Sequence, residues 1–150
     1  MSAVKYLIAQ VEKFEAANFM NLKYAFFAIL STAVLIYISA LPGQTIWGND
    51  TMSIRILFNL AHIPGYALLS FLWLKCFERG GNINRSPVIG FLILLVLVIF
   101  SVSTELYQIF VPGRTASSID IGLNFVGILS GLTMFHVFKQ GKTPITQQTQ

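Results

Sequence analysis

Apolar residues run almost unbroken through four stretches of the chain, with short polar intervals between them. The stretches are YAFFAILSTAVLIYISAL (24–41), LFNLAHIPGYALLSFLWLKCF (57–77), VIGFLILLVLVIFSVSTELYQ (88–108) and IDIGLNFVGILSGLTMFHVF (119–138). Each is long enough to cross a hydrocarbon layer as a helix, which takes about 17–25 residues. Continuous rather than alternating apolarity excludes a transmembrane barrel. Pro42-Gly43 ends the first run and Pro87 precedes the third, where a missing N–H is tolerated. Short connections make neighbouring helices antiparallel. The predicted fold is all-α, a membrane-embedded bundle of four transmembrane helices over residues 24–138.

Residues 1–23 follow another pattern. Val4, Leu7, Ile8, Val11 and Phe14 recur at helical spacing, with Lys5, Glu12, Lys13 and Glu15 on the other side. This predicts a short N-terminal amphipathic helix lying in the membrane interface. ISALPG also offers small residues after an apolar run, as a cleaved signal peptide would. The long run and long polar leader favour a retained anchor. Residues 139–150 read as a flexible polar tail.

Composition agrees with lipid as the solvent. The 150 residues are 55% hydrophobic and 11% charged, where soluble domains carry about 25% charged residues. A net charge of +4, with no basic arm, gives no footing for a nucleic-acid partner. The single cysteine, Cys76, excludes an intramolecular disulfide and a Cys-rich metal site. Lys5, Lys13, Lys23, Lys75, Arg79, Arg85, Lys139 and Lys142 fall on one side of this topology, and only Arg55 and Arg114 on the other. Basic residues accumulate on the cytoplasmic side, so both termini are expected there.

With that orientation the remaining polar residues share one depth. Asn59 and His62 lie in the outer half of the second helix, Glu105 and Gln108 at the outer end of the third, and Asp120 and Asn124 at the start of the fourth, with Arg114 between the last two. Residues three or four apart share a helix face, giving the stripes Asn59–His62–Tyr66, Ser101–Glu105–Gln108 and Asp120–Asn124–Gly127–Gly131. Ionisable groups at such depth point into a bundle or a wet cavity. Gly127-x-x-x-Gly131 lets another helix approach closely. Glu105 and Asp120 are like charges that need a cation or a shared proton, and Arg114 is the nearest cation, with Asp120 as one candidate partner. That pairing leaves Glu105 poorly neutralised in apolar surroundings, a setting for proton transfer with His62 as second acid or base.

These residues resemble a known family. Glu105, Gln108, Pro112 and Arg114 read E-x-x-Q-x-x-x-P-x-R, and Asp120, Asn124 and Gly127 read D-x-x-x-N-x-x-G, the pattern of the VanZ-like membrane proteins. His62 and Tyr66 in NLAHIPGY match the family's earlier His–Tyr motif, with Asn59 where members often carry Lys. The resemblance covers about residues 54–132. It implies a small integral protein of the bacterial cytoplasmic (inner) membrane, and a link to the cell envelope and to glycopeptide (teicoplanin) susceptibility.

The expected site has Glu105, His62 and Asp120 as catalytic groups. Arg114, Gln108, Asn124, Tyr66 and Arg55 are expected to bind substrate. No cofactor is expected and no metal is assigned, although His62, Glu105 and Asp120 could hold zinc with one open position. Expected partners are membrane lipids and a lipid-linked envelope precursor, with a homo-oligomer as an option. Plainer roles stand beside these: a surface ion pair for Glu105 and Arg114, a Ser117-x-x-Asp120 capping box, and interhelical bridging by Asn124 and His62. The alternative to turnover is a membrane binding or assembly module whose polar stripes and glycine seam pack helices or protomers.

Overall fold

The structure, a computed structural model, describes residues 4–5, 20–43, 52–78 and 87–140. Four helices make up the bundle: α1, Leu22–Ala40; α2, Met52–Glu78; α3, Pro87–Gln108; and α4, Ser118–Gln140. Among the described residues there is no strand, and all four helices are long and apolar enough to cross a membrane. At 1.5 Å per residue even the shortest, 19 residues, is about 28 Å long. Of the interfacial helix expected over residues 1–23, residues 1–3 and 6–19 lie outside the described residues, and Leu22 and Lys23 belong to α1. Of the tail expected over 139–150, residues 139–140 continue α4 and the rest lie outside the described residues.

α2 is the centre of the bundle, packing on α4 most extensively and also on α1 and α3. Its contact with α4 follows from two glycines. A Cβ on Gly127 would stand 2.6 Å from the Ile63 carbonyl oxygen and 2.9 Å from Tyr66 Cβ. A Cβ on Gly131 would collide with the Ala67 carbonyl and stand 2.8 Å from Ser70 Cβ. Only bare backbone fits there. The Ser70 hydroxyl then donates to the Ile128 carbonyl at 3.0 Å. Ile63 faces Gly127 and Ala67 faces Gly131, so register advances in step and the two helices run parallel. This glycine seam is filled within the chain by α2, so it is not a free face for a second protomer.

α3 runs antiparallel to α2. Tyr66, Leu69, Leu97 and Ile128 form the buried cluster, with Trp73, Ile93 and Phe100 packed against it. Outward faces are Leu, Ile, Val and Phe, such as Phe26, Phe91, Val96 and Val137, as a hydrocarbon solvent requires. Pro64 sits inside α2 without ending it. The Asn21 amide, just before α1, donates to the Cys76 carbonyl at 2.7 Å, satisfying a carbonyl near the C-terminal end of α2. Lys75 is buried at that same end. It donates to Glu78 and sits over the rings of Phe135 and Phe71, at 5.3 and 5.9 Å.

Because the seam is backbone against backbone, Gly131→Ala should lower the thermal unfolding midpoint of the detergent-solubilised protein, by the equivalent of about 1–3 kcal/mol. Gly122→Ala is the control, since a methyl there meets nothing within 4 Å, and its midpoint should be unchanged or slightly higher.

Candidate functional site

The polar end of the bundle is organised by the loop between α3 and α4. Val111-Pro112-Gly113-Arg114 closes with the Arg114 amide donating to the Val111 carbonyl at 3.1 Å, and Gly113 has φ 73°. Proline second and a positive-φ glycine third are the signature of a type II turn. The Pro112 carbonyl accepts the Gly43 amide at 3.0 Å, tying the turn to the end of α1.

That turn aims Arg114 at α1. Its Nη2 donates to the Ile38 carbonyl at 2.8 Å and its Nε to the Leu41 carbonyl at 3.2 Å. The last carbonyls of a helix lack helical amide partners; the Ile38 carbonyl accepts the Leu41 amide at 3.3 Å, and Pro42 brings no further N–H. Arg114 caps α1. Its Nη1 donates to Gln108 Oε1 at 3.4 Å, and Gln108 Nε2 donates to Glu105 Oε1 at 3.3 Å. Gln108 therefore bridges the guanidinium and the carboxylate. Burial pushes the Arg114 guanidinium below its ordinary pKa, while the charges of Glu105 and Asp120 hold it up.

The two acids divide the work differently from a simple capping box. Ser117 precedes α4, and its hydroxyl accepts the Asp120 amide at 3.2 Å, which is half of such a box. In the other half the acid would reach back to the Ser117 amide. That amide instead donates to Glu105 Oε2 from α3, at 3.4 Å. Glu105 is fully buried and holds the start of α4. Asp120 is left with a buried oxygen, Oδ1, that has no hydrogen-bond partner. Its carboxylate stands in the first turn of α4, where the helix dipole favours it, but does not make the reciprocal bond of the box.

Opposite, His62 Nδ1 lies 2.7 Å from Asn124 Oδ1. The amide oxygen accepts the Nδ1–H, so the ring's Nε2 keeps its lone pair. One turn deeper, Thr104 donates to the Ser101 carbonyl and is therefore free to accept from the Tyr66 hydroxyl, at 2.9 Å in both cases. Tyr66 is a buried interhelical peg, with an edge on a small cavity rather than the polar one.

A polar cavity of about 340 Å³ opens among these groups, lined by His62, Gln108, Arg114 and Asp120 together with Asn59 and Ser117. Its neighbour, about 150 Å³, shares His62, Gln108 and Arg114 and is otherwise mostly apolar, with Leu35, Ile38 and Ala61 in its wall. Those three residues also line an apolar groove of about 470 Å³ along α1 and α2.

The sequence profile of VanZ/LLP1 matches residues 6–139. The chain belongs to the VanZ/LLP1 family. No curated protein and no solved structure matches it. The polar residues that carry the VanZ/LLP1 resemblance are those the fold gathers at this end of the bundle. His62, Glu105, Gln108, Arg114, Asp120 and Asn124 come together. Glu105 and Asn124 stand behind the cavity wall, and the side chain of Arg55 lies outside the described residues. Sequence reasoning missed the Ile38 and Leu41 carbonyls and Thr104. The first two were signalled by Pro42, which leaves a helix end short of donors.

Because Gly113 must hold a positive φ, Gly113→Ala should cost about 1–2 kcal/mol of loop stability. Hydrogen–deuterium exchange of detergent-solubilised protein should speed up at the Gly43 amide, which Pro112 protects, while amides in the middle of α2 stay as protected as in the wild type.

Proposed function

We propose that this VanZ/LLP1 protein captures an anionic amphiphile of the cell envelope, a lipid-linked or cell-wall-related molecule, at the extracytoplasmic face of the membrane. The observation that carries this reading is the chain of spaces at the polar end. A charged cavity shares walls with a mixed one, and that one shares walls with a lipid-facing apolar groove. Such a sequence matches a headgroup followed by an acyl chain. The basic-residue split of eight against two favours the outer face for this end. The family's association with glycopeptide susceptibility points to envelope substrates.

In this reading Arg114 and Gln108 grip the headgroup from above. A guanidinium offers a planar fork that fits carboxylate or phosphate. His62 and Asp120 face the bound molecule, and Asn124 fixes the orientation of the imidazole. Glu105, behind the wall, holds Gln108 and the Ser117 amide in place and exchanges protons with the pair in front. A headgroup seated here leaves little water around the reacting atoms, which strengthens each of these contacts. Both termini lie in the cytoplasm, and the host membrane is the bacterial inner membrane.

Lipid profiling separates capture or turnover from pure assembly. Cells lacking the protein and cells overproducing it should differ in the level of an anionic envelope amphiphile. Arg114→Ala should fail to restore the wild-type profile, with Arg114→Lys partly active and Gly122→Ala fully active at equal membrane abundance. Glu105→Gln, which preserves shape, should lose at least tenfold in any turnover while still binding. An envelope identical in deleted, overproducing and Arg114→Ala cells would overturn the proposal.

A further inference from the structure

We propose that His62, Glu105 and Asp120 bind one divalent transition-metal ion, with Zn²⁺ the ion that the donor set fits. The three residues come from α2, α3 and α4, and one ligand atom from each lies within 4.8 Å of the other two. Tetrahedral zinc with bonds of about 2.0–2.2 Å sets its ligand atoms roughly 3.3 Å apart. Reaching that spacing calls for side-chain rotation, and the glycine seam already sets the spacing of α2 and α4, which carry His62 and Asp120.

Asp120 supplies the second, independent observation. It is only 9% exposed and lines the cavity beside His62, and its buried Oδ1 has no hydrogen-bond partner. Left alone in a bundle surrounded by lipid, such an acceptor bears its full desolvation penalty. A cation removes it. The other two residues are held by outer hydrogen bonds of the kind that support metal ligands. His62 donates its Nδ1–H to Asn124, leaving Nε2 with a lone pair, and this outer hydrogen bond is the usual support of a metal-binding imidazole. Glu105 is held by Gln108 and by the Ser117 amide, and each of its oxygens has a second lone-pair site left.

Charge and ligand type choose the ion. Two carboxylates and one guanidinium leave the site one unit negative, and a divalent ion reverses this to one unit positive. Arg114 does not block the ion, because its hydrogen bonds to the Ile38 and Leu41 carbonyls hold it towards α1. One imidazole with two carboxylates suits Zn²⁺ better than Mg²⁺, which wants six oxygen ligands and keeps its waters. His62 and Asp120 line the polar cavity, from which a further ligand would reach the ion. Metal binding needs no amphiphile, so it stands or falls separately from the envelope reading.

The test is equilibrium dialysis of the detergent-solubilised full chain against Zn²⁺ alone, with metal content read by mass spectrometry. About one ion per chain is expected. Asp120→Asn and His62→Ala should lose it. Asn124→Ala should weaken it roughly 10–100-fold through the imidazole, and His136→Ala, remote from the site, should keep it. In wild-type protein Co²⁺ should give the visible absorption of a low-coordinate site, displaced by Zn²⁺, a readout that does not depend on any variant folding. Absence of stoichiometric zinc in the wild type, absence of that Co²⁺ spectrum, or an ion retained by Asp120→Asn but lost by His136→Ala would overturn the proposal.

Discussion

The architecture depends on one close approach, the backbone of α4 lying directly on the backbone of α2 at Gly127 and Gly131. In lipid, apolar side chains give little reason for two helices to associate, since acyl chains are as apolar as leucine. What remains is packing at short range and hydrogen bonding. The glycines supply the first and Ser70, bonded to the Ile128 carbonyl, adds the second. With that spacing set, Asn124, one turn from Gly127, meets His62, one turn from Tyr66. α3 is then joined to α2 by the Tyr66 hydroxyl at Thr104 and to α4 by Glu105 at the Ser117 amide. His62, Tyr66 and Glu105 are each held by a partner from another segment.

This explains why the two acids at membrane depth, Glu105 and Asp120, both lie at this end of the bundle. A carboxylate in the middle of a span would be costly to bury, but at a helix N-terminus it meets unpaired amides and a favourable dipole. Glu105 and Asp120 both sit against the start of α4, and only one of them is spent on it. The other, Asp120, faces the cavity with a free oxygen. Two acids placed alike by depth thus differ in what they can do, and a single amide hydrogen bond makes the difference.

Much of this was legible beforehand, for identifiable reasons. The spans were readable because lipid demands continuous apolar runs, and 24–41 and 88–108 lie within two residues of α1 and α3. α2 begins five residues earlier than its apolar run, since a helix can continue beyond the hydrocarbon once its sequence stops being apolar. Convergence of His62, Glu105, Gln108, Asp120 and Asn124 followed from helical spacing plus alternating direction. The division of labour did not. Ser117-x-x-Asp120 looks like a box, and nothing in residue order reveals that Glu105, twelve positions away, takes the amide instead. The carbonyls of Ile38 and Leu41 have no letter of their own in the sequence, and Pro42 marks only a helix end short of donors, without saying that Arg114 supplies them.

Arg114 has a double employment with a mechanical result. The same guanidinium that faces the cavity closes the end of α1, and α1 forms one bank of the groove leading away from it. On the proposed reading, an anion arriving in the cavity would compete with two carbonyls for the same N–H groups. Whatever the newcomer gained, the final turn of α1 would give up, and that turn borders the path an attached tail would follow. Occupancy at one end would then be coupled to looseness along the side of the bundle, with no moving domain required.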